Sequence, residues 1–298
     1  MAAPLGELLT AMVTPFHPDG SVNFPSARRL ARYLVETGSD GIVVCGTTGE
    51  GPTVSDREKI DLLDTLVEEV GGSACVVANT GTYDTHHSVA LTRAAVEAGA
   101  DAFLAVTPYY NKPPRSGIVA HFGAIAEAAE GRPVIIYNIP QRVVLNLEPD
   151  LLAELAEIRN VVAVKQATAD LDQARQILAD TDLFLYAGND DLLYPFLELG
   201  GKGGVCVASH VAGAQIRRTI ELAHGGDLAA AKAQDAALHD LYTALAITTN
   251  PIPVKTALNL LGHDVGGLRL PLVEADAEQT ATVAAALEAA GIRSAANV

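Results

Sequence analysis

Eight short, β-branched apolar runs, evenly spaced up to about residue 225, predict an α/β fold: a (β/α)8 TIM barrel with a C-terminal helical appendage. Two further observations point the same way. Each run leads into Gly, Pro or polar turn chemistry and then an Ala/Leu-rich segment of helical period, and 298 residues suit one barrel with an extension. A doubly wound sheet is the alternative, but it rarely supplies eight such units, and no G-x-G-x-x-G follows the first run.

The predicted strands are Leu8 to Val13, Gly41 to Cys45, Cys75 to Ala78, Ala102 to Val106, Val134 to Tyr137, Val161 to Lys165, Leu183 to Ala187 and Gly204 to Val207. Intervening helices carry their own start signals. Ser55, for example, precedes an acidic first turn and the stripe Ile60, Leu63, Leu66 and Val67. From Gly225 onward strands cease, and Asp227 to Ile247, Pro253 to Leu261 and Ala275 to Ala290 read as helices. The expected organisation is a barrel over residues 1–225 and a helical subdomain over 226–298, packed together because no Pro/Gly/Ser-rich linker separates them.

Composition narrows the function classes. Hydrophobic residues make up 49% and charged ones 19%, with 26 Gly and 15 Pro, which suits a large core and many turns. Acidic residues outnumber basic ones by 36 to 20, for a net charge of −16, which argues against nucleic acid or an anionic membrane as partner. Any anionic substrate must meet local positive groups. Cys45, Cys75 and Cys206 are odd in number and lie in apolar runs, so they read as core residues. The segment Met1 to Glu7 lacks a basic n-region and no stretch approaches ~18 apolar residues, so a cytoplasmic protein is expected. His86-His87 and the other histidines show no metal-ligand spacing, and no metal site is expected.

One residue stands out against this pattern. Lys165 ends the run Val161-Val162-Ala163-Val164, where both faces of a barrel strand should be buried. It is either the first solvated residue after the strand or a desolvated, partly neutral amine able to form a Schiff base. In a barrel the residues after each strand share one mouth, so they bear on the choice. They include Gly46-Thr47-Thr48-Gly49-Glu50-Gly51, Thr107 to Pro113, Tyr137 to Arg142 and Gly188-Asn189-Asp190-Asp191. Thr47 and Thr48 either cap a turn or, flanked by glycines, offer an anion cradle. Tyr137 is a core residue with a wet tip or a proton relay beside an imine-forming lysine. Tyr109-Tyr110 is a surface loop or a subunit contact, and Arg142 a solvated residue or a fork for a carboxylate. Asn189-Asp190-Asp191 reads as an N-cap with an acidic first turn, and Gly200 to Gly204 as a helix-to-strand turn.

In combination these residues resemble the dihydrodipicolinate synthase family, within the wider group that includes N-acetylneuraminate lyase. The resemblance covers nearly the whole chain, from Ala11-Met12-Val13-Thr14-Pro15-Phe16 through G-T-T-G-E at 46–50, T-P-Y-Y-N-K-P at 107–113, Y-N-I-P at 137–140 and Lys165 to N-P-I-P-V-K at 250–255 and L-R-L-P at 268–271. It implies a lyase in which Lys165 forms an imine with pyruvate, with Thr47 and Thr48 on its carboxylate. Thr47, Tyr137 and Tyr110 would form the proton relay, and Gly49 and Val205 join the substrate-binding residues by the same carry-over. Arg142 would hold the carboxylate of aspartate 4-semialdehyde. The resemblance further implies lysine and diaminopimelate biosynthesis, no cofactor beyond the covalent imine, and a homo-oligomer, usually a tetramer as a dimer of dimers, in which Tyr110 reaches a neighbouring site.

Departures from the family pattern fall on the aldehyde side: Gln141, Val143, Asn79 and the Gly188-Asn189-Asp190 loop. Another aldehyde with the same pyruvate chemistry is therefore an alternative, and a non-catalytic keto-acid-binding barrel a remote one. The effector site of lysine-inhibited members would here be lined by Gly51, Pro52, Asp56, Lys59, Tyr83 and His87, and the cationic Lys59 predicts weak or absent feedback.

Overall fold

The structure, a computed structural model, describes residues 5–293. Eight parallel strands close into a barrel: β1 (Leu8–Ala11), β2 (Gly41–Val44), β3 (Cys75–Asn79), β4 (Ala102–Val106), β5 (Val134–Asn138), β6 (Val161–Gln166), β7 (Phe184–Ala187) and β8 (Gly203–Cys206). Closure is made where β8 pairs with β1, Val205 opposite Leu9. Every predicted strand is present, with ends within about two residues of the expected ones.

Period-two alternation divides the core into two layers. Leu9, Ala11, Val43, Val77, Leu104, Ile135, Ala163 and Val205 fill the barrel, while Leu8, Ile42, Val76, Phe103, Ile136 and Val164 pack outward against the helices. The helices begin where the turn chemistry says they should. Ser55 and Glu58 form a reciprocal capping box ahead of Asp56–Val70, and Gly200 to Lys202 turn the helix Leu193–Glu198 back into β8.

After Ser209–His224 no strand follows among the described residues. The expected helix Asp227 to Ile247 is instead two, Leu228–Ala236 and His239–Leu245, with the break at Ala237 and Leu238. The apolar period runs through the break, since Ala231, Leu238, Leu241, Tyr242 and Leu245 are all buried, so the pattern gave no warning of it. Two more helices, Ile252–Leu260 and Ala277–Ala289, complete the described chain. No helix of the described residues is long and apolar enough to cross a membrane.

His210 ties the two edges of the closure together. Its Nδ1–H donates to the Val207 carbonyl at 2.8 Å and its Nε2 accepts the Val13 amide at 3.1 Å, so the ring must be neutral with the proton on Nδ1. Burial pushes its pKa down to about 4. A pKa below the unfolded value of ~6.5 means the neutral ring's contribution is complete above that pH and is lost as pH falls through the folded value, worth about 3 kcal/mol by a pH near 4. NMR titration should therefore find the His210 ring protonating near 4. Denaturant midpoints should fall between pH 6.5 and 4 more steeply than in His210→Gln, and a ring titrating near 6.5 would contradict the assignment.

Candidate active site

Alternation along β5 and β6 places two polar side chains inside the barrel. Ile135 and Tyr137 share the inward face of β5, and Ala163 and Lys165 that of β6. The strands pair in parallel with Tyr137 beside Lys165. Both are buried, at 4% exposure each, so the solvated-lysine reading fails on burial. Lys165 Nζ lies 4.2 Å from the centroid of the Tyr137 ring, and among the described residues it has neither a hydrogen-bond nor an ion-pair partner. Its neighbour on the other strand, Tyr186, is committed elsewhere, its hydroxyl donating to Gly6 O at 2.6 Å.

The turn after β2 supplies the next groups. It folds back on itself so tightly that a Cβ on Gly49 would sit 2.9 Å from Cys45 Cα, and one on Gly51 would sit 2.2 Å from Cys45 O. These glycines serve backbone packing. Thr14 Oγ1 braces the turn by donating to Gly49 O at 2.6 Å. The Thr47 and Thr48 amides find no partner among the described residues, and both residues line the main cavity. Thr48 Oγ1 accepts from Asn250 Nδ2 at 2.9 Å, which leaves its own proton available.

Arg142 sits in the short helix Pro140–Val143, exposed at the mouth, with no ion-pair partner among the described residues. A buried amide network behind it anchors its loop. Asn138 Nδ2 donates to Gln166 Oε1 at 3.0 Å and to Asn146 Oδ1 at 2.8 Å, while Asn138 Oδ1 accepts the Leu147 amide at 3.1 Å.

These groups open on one cavity of about 620 Å³. Its far wall comes from outside the barrel: Tyr242 and the segment through Thr249 and Asn250. Asp190 also lines it, and it is more than part of an acidic first turn. Its carboxylate accepts the Val207 and Ala208 amides at 2.9 Å each, pinning the chain after β8. Burial holds the Asp190 carboxyl above its ordinary range, against those hydrogen bonds and the charge of Lys165. Asp235, which accepts from Tyr242 OH at 3.3 Å, is raised by burial to about 6.

The structure thus brings Lys165, Tyr137, Thr47, Thr48 and Arg142 to one cavity. It does not bring the others there. Val205 is fully buried in the inner core, Gly49 packs behind the turn, and Tyr110 is 92% exposed away from the cavity wall. Asn250, Asp190 and Tyr242 escaped sequence reasoning as site residues. Two of them come from the helical appendage, where the N-P-I-P-V-K and L-R-L-P motifs signalled the region without assigning these residues to the site. A second cavity of about 610 Å³ adjoins the first, sharing Thr47, Tyr137, Arg142 and Asn250, and contains Lys59, Tyr83, His87 and Tyr109. Among the described residues no group of three or more His, Cys, Asp or Glu is arranged to hold a metal ion.

Chemically, a buried amine, a neighbouring phenol and a turn with amide and hydroxyl protons to donate suit a small 2-oxo acid, its carboxylate on the turn and its carbonyl at the amine. The exposed Arg142 guanidinium at the mouth suits a second carboxylate.

Comparison with known proteins agrees with this chemistry. Residues 4–290 match the dihydrodipicolinate synthetase family. The chain is 50% identical over 282 residues to a 4-hydroxy-tetrahydrodipicolinate synthase of Desulforudis audaxviator, covering 94% of this chain and 95% of that one. It is 47% identical over 289 residues to the enzyme of that name from Moorella thermoacetica, covering 96% and 99% respectively. Among solved structures, a dihydrodipicolinate synthase from Cyanidioschyzon merolae with lysine bound superposes with a TM-score of 0.95 at 42% identity, over 97% of this chain and 99% of that one. On this sequence match across almost its full length, the chain belongs to the dihydrodipicolinate synthetase family.

Proposed function

We propose that the chain is a lyase that condenses pyruvate with L-aspartate 4-semialdehyde, giving 4-hydroxy-tetrahydrodipicolinate for lysine and diaminopimelate biosynthesis in the cytoplasm. In this reading residues 1–225 form the catalytic barrel and 226–298 the subdomain over its mouth. The observation that carries it is Lys165: a buried amine without a hydrogen-bond or ion-pair partner among the described residues, opening on the cavity beside Tyr137 and the Thr47–Thr48 turn. Family membership and the names of the relatives support the choice of substrates.

The chemistry follows from the placement of groups. Lys165 adds to the pyruvate carbonyl and water leaves, forming an imine, while the Thr47 and Thr48 amides and hydroxyls hold the carboxylate. The imine draws electrons from the methyl carbon, which loses a proton to give an enamine. That carbon attacks the aldehyde, whose own carboxylate meets Arg142. The amine of the second substrate then adds to the imine carbon, closes the ring and releases Lys165. No cofactor beyond the covalent imine is required. Tyr137, Thr47 and Tyr110 move the protons, and the Tyr137 hydroxyl, without a hydrogen-bond partner among the described residues, is free to do so.

Tyr110 requires a second subunit for this role. It holds a left-handed φ of 71° that costs a non-glycine residue of order 1 kcal/mol or more, and it presents an almost fully exposed ring. That placement supports donation of the ring to a partner's site in a tight dimer, with a dimer of dimers as the assembly.

Borohydride with pyruvate should add one reduced adduct on Lys165, detected by peptide mass. Lys165→Ala should lose the adduct and about a thousandfold or more of the turnover; a wild-type protein with no adduct would falsify the reading. Arg142→Ala should raise the semialdehyde KM about tenfold or more while changing the pyruvate KM by less than about threefold, as expected for loss of one charged fork. An equal rise in both would place Arg142 elsewhere in the mechanism. Lysine is expected to inhibit weakly or not at all. Lys59 Nζ, 3.2 Å from Asp56 Oδ1, keeps a fixed cation in the second cavity, and inhibition at submillimolar lysine would refute this.

A further inference from the structure

The turn that carries Thr47 and Thr48 is gripped from the helical subdomain by buried charge. Glu50 closes the turn with a left-handed φ of 54° and a side chain 1% exposed. Its Oε1 lies 2.7 Å from Nζ of Lys255, itself 1% exposed in the helix Ile252–Leu260. That contact is an ion pair, and Oε2 of the same carboxylate accepts the Arg269 amide at 3.0 Å. Lys255 also donates to Gly267 O at 2.6 Å and lies 4.2 Å from the centroid of the Phe16 ring. Burial pulls its pKa down to about 8, against the upward pull of Glu50, so it is mostly protonated at pH 7.

A pair this buried is a poor route to stability. Apolar replacements of such pairs are often neutral or better, so a role in placing the turn accounts for it more directly than a stabilising one. The location supplies that role. Five residues before Lys255, Asn250 donates to Thr48 Oγ1. One segment of the subdomain therefore holds the turn at two points, Thr48 through Asn250 and Glu50 through Lys255.

We propose that Glu50 and Lys255 are positioning residues for the 2-oxo acid: their ion pair fixes the Thr47–Thr48 turn at the distance from Lys165 that the substrate carboxylate spans. Neither residue touches the substrate, and the proposal rests on the functional reading above. Removing one partner strands a buried charge and destabilises the fold, which would obscure the result. The decisive variant is therefore the double substitution Glu50→Gln with Lys255→Met, which removes both charges at similar volume.

Thermal midpoint, steady-state kinetics with each substrate varied, and the rate of borohydride trapping are measured on wild type, Lys255→Met and the double variant. Both variants should show a pyruvate KM raised about tenfold or more, with the semialdehyde KM within about threefold, since small misplacement of a binding group acts on the ligand it holds. The double variant should recover thermal stability relative to Lys255→Met without recovering pyruvate KM. Recovery of both together, or a parallel rise in both KM values, would overturn the positioning role and leave the pair purely structural. Absence of a pyruvate adduct on wild-type Lys165 would instead overturn the functional reading, and the proposal with it.

Discussion

Closure of the sheet is the constraint on which the rest depends. Once β8 pairs with β1, all eight strands end at one rim, and every second side chain must point into a sealed interior. Tyr137 and Lys165 are two residues beyond Ile135 and Ala163, so they are carried inside whether or not their chemistry suits a core. The barrel thereby desolvates an amine and places it beside a phenol without any contact designed for the purpose. A lysine in that position costs free energy that a leucine would not, and the fold tolerates it because the interior below is filled by Leu, Val, Ile and Ala.

Closure alone does not make a site. The barrel supplies a buried amine and a turn whose Thr47 and Thr48 amides have no partner among the described residues; the helical subdomain supplies the enclosing wall through Tyr242 and Asn250, and holds the turn from behind through Lys255. The division is also electrostatic. With a net charge of −16, the protein repels the anions it is proposed to bind. Many of its arginines are committed to carboxylates, among them Arg28, Arg32, Arg115, Arg217 and Arg269. Among the described residues Arg142 has no such partner at the mouth, which makes it available to a substrate carboxylate.

The strands were legible because a barrel strand is short, apolar on both faces and bounded by turn residues, and each of those properties is local. Lys165 was legible as an anomaly within one of them. Asn189 and Asp190 do open a short helical turn, Asp190–Leu192, as their composition suggests, but composition could not show what the Asp190 carboxylate holds. Its actual partners, the Val207 and Ala208 amides, are some seventeen residues away in sequence. The break at Ala237 and Leu238 was invisible because the apolar period continues across it. Gly49 was expected near the substrate, but its lack of a side chain is required by the backbone of Cys45 and Met12.

The sequence by itself determined the barrel, its strands and the five side chains that meet at its mouth. Alternation, turn chemistry and a misplaced lysine are written in neighbouring residues. Tertiary structure alone decided how they are held: that Asn250 meets Thr48 across about two hundred residues, that Lys255 finds Glu50, and that Tyr110 is left exposed and off the cavity lining. Such contacts depend on how the subdomain docks on the closed barrel, and local propensity carries no record of docking.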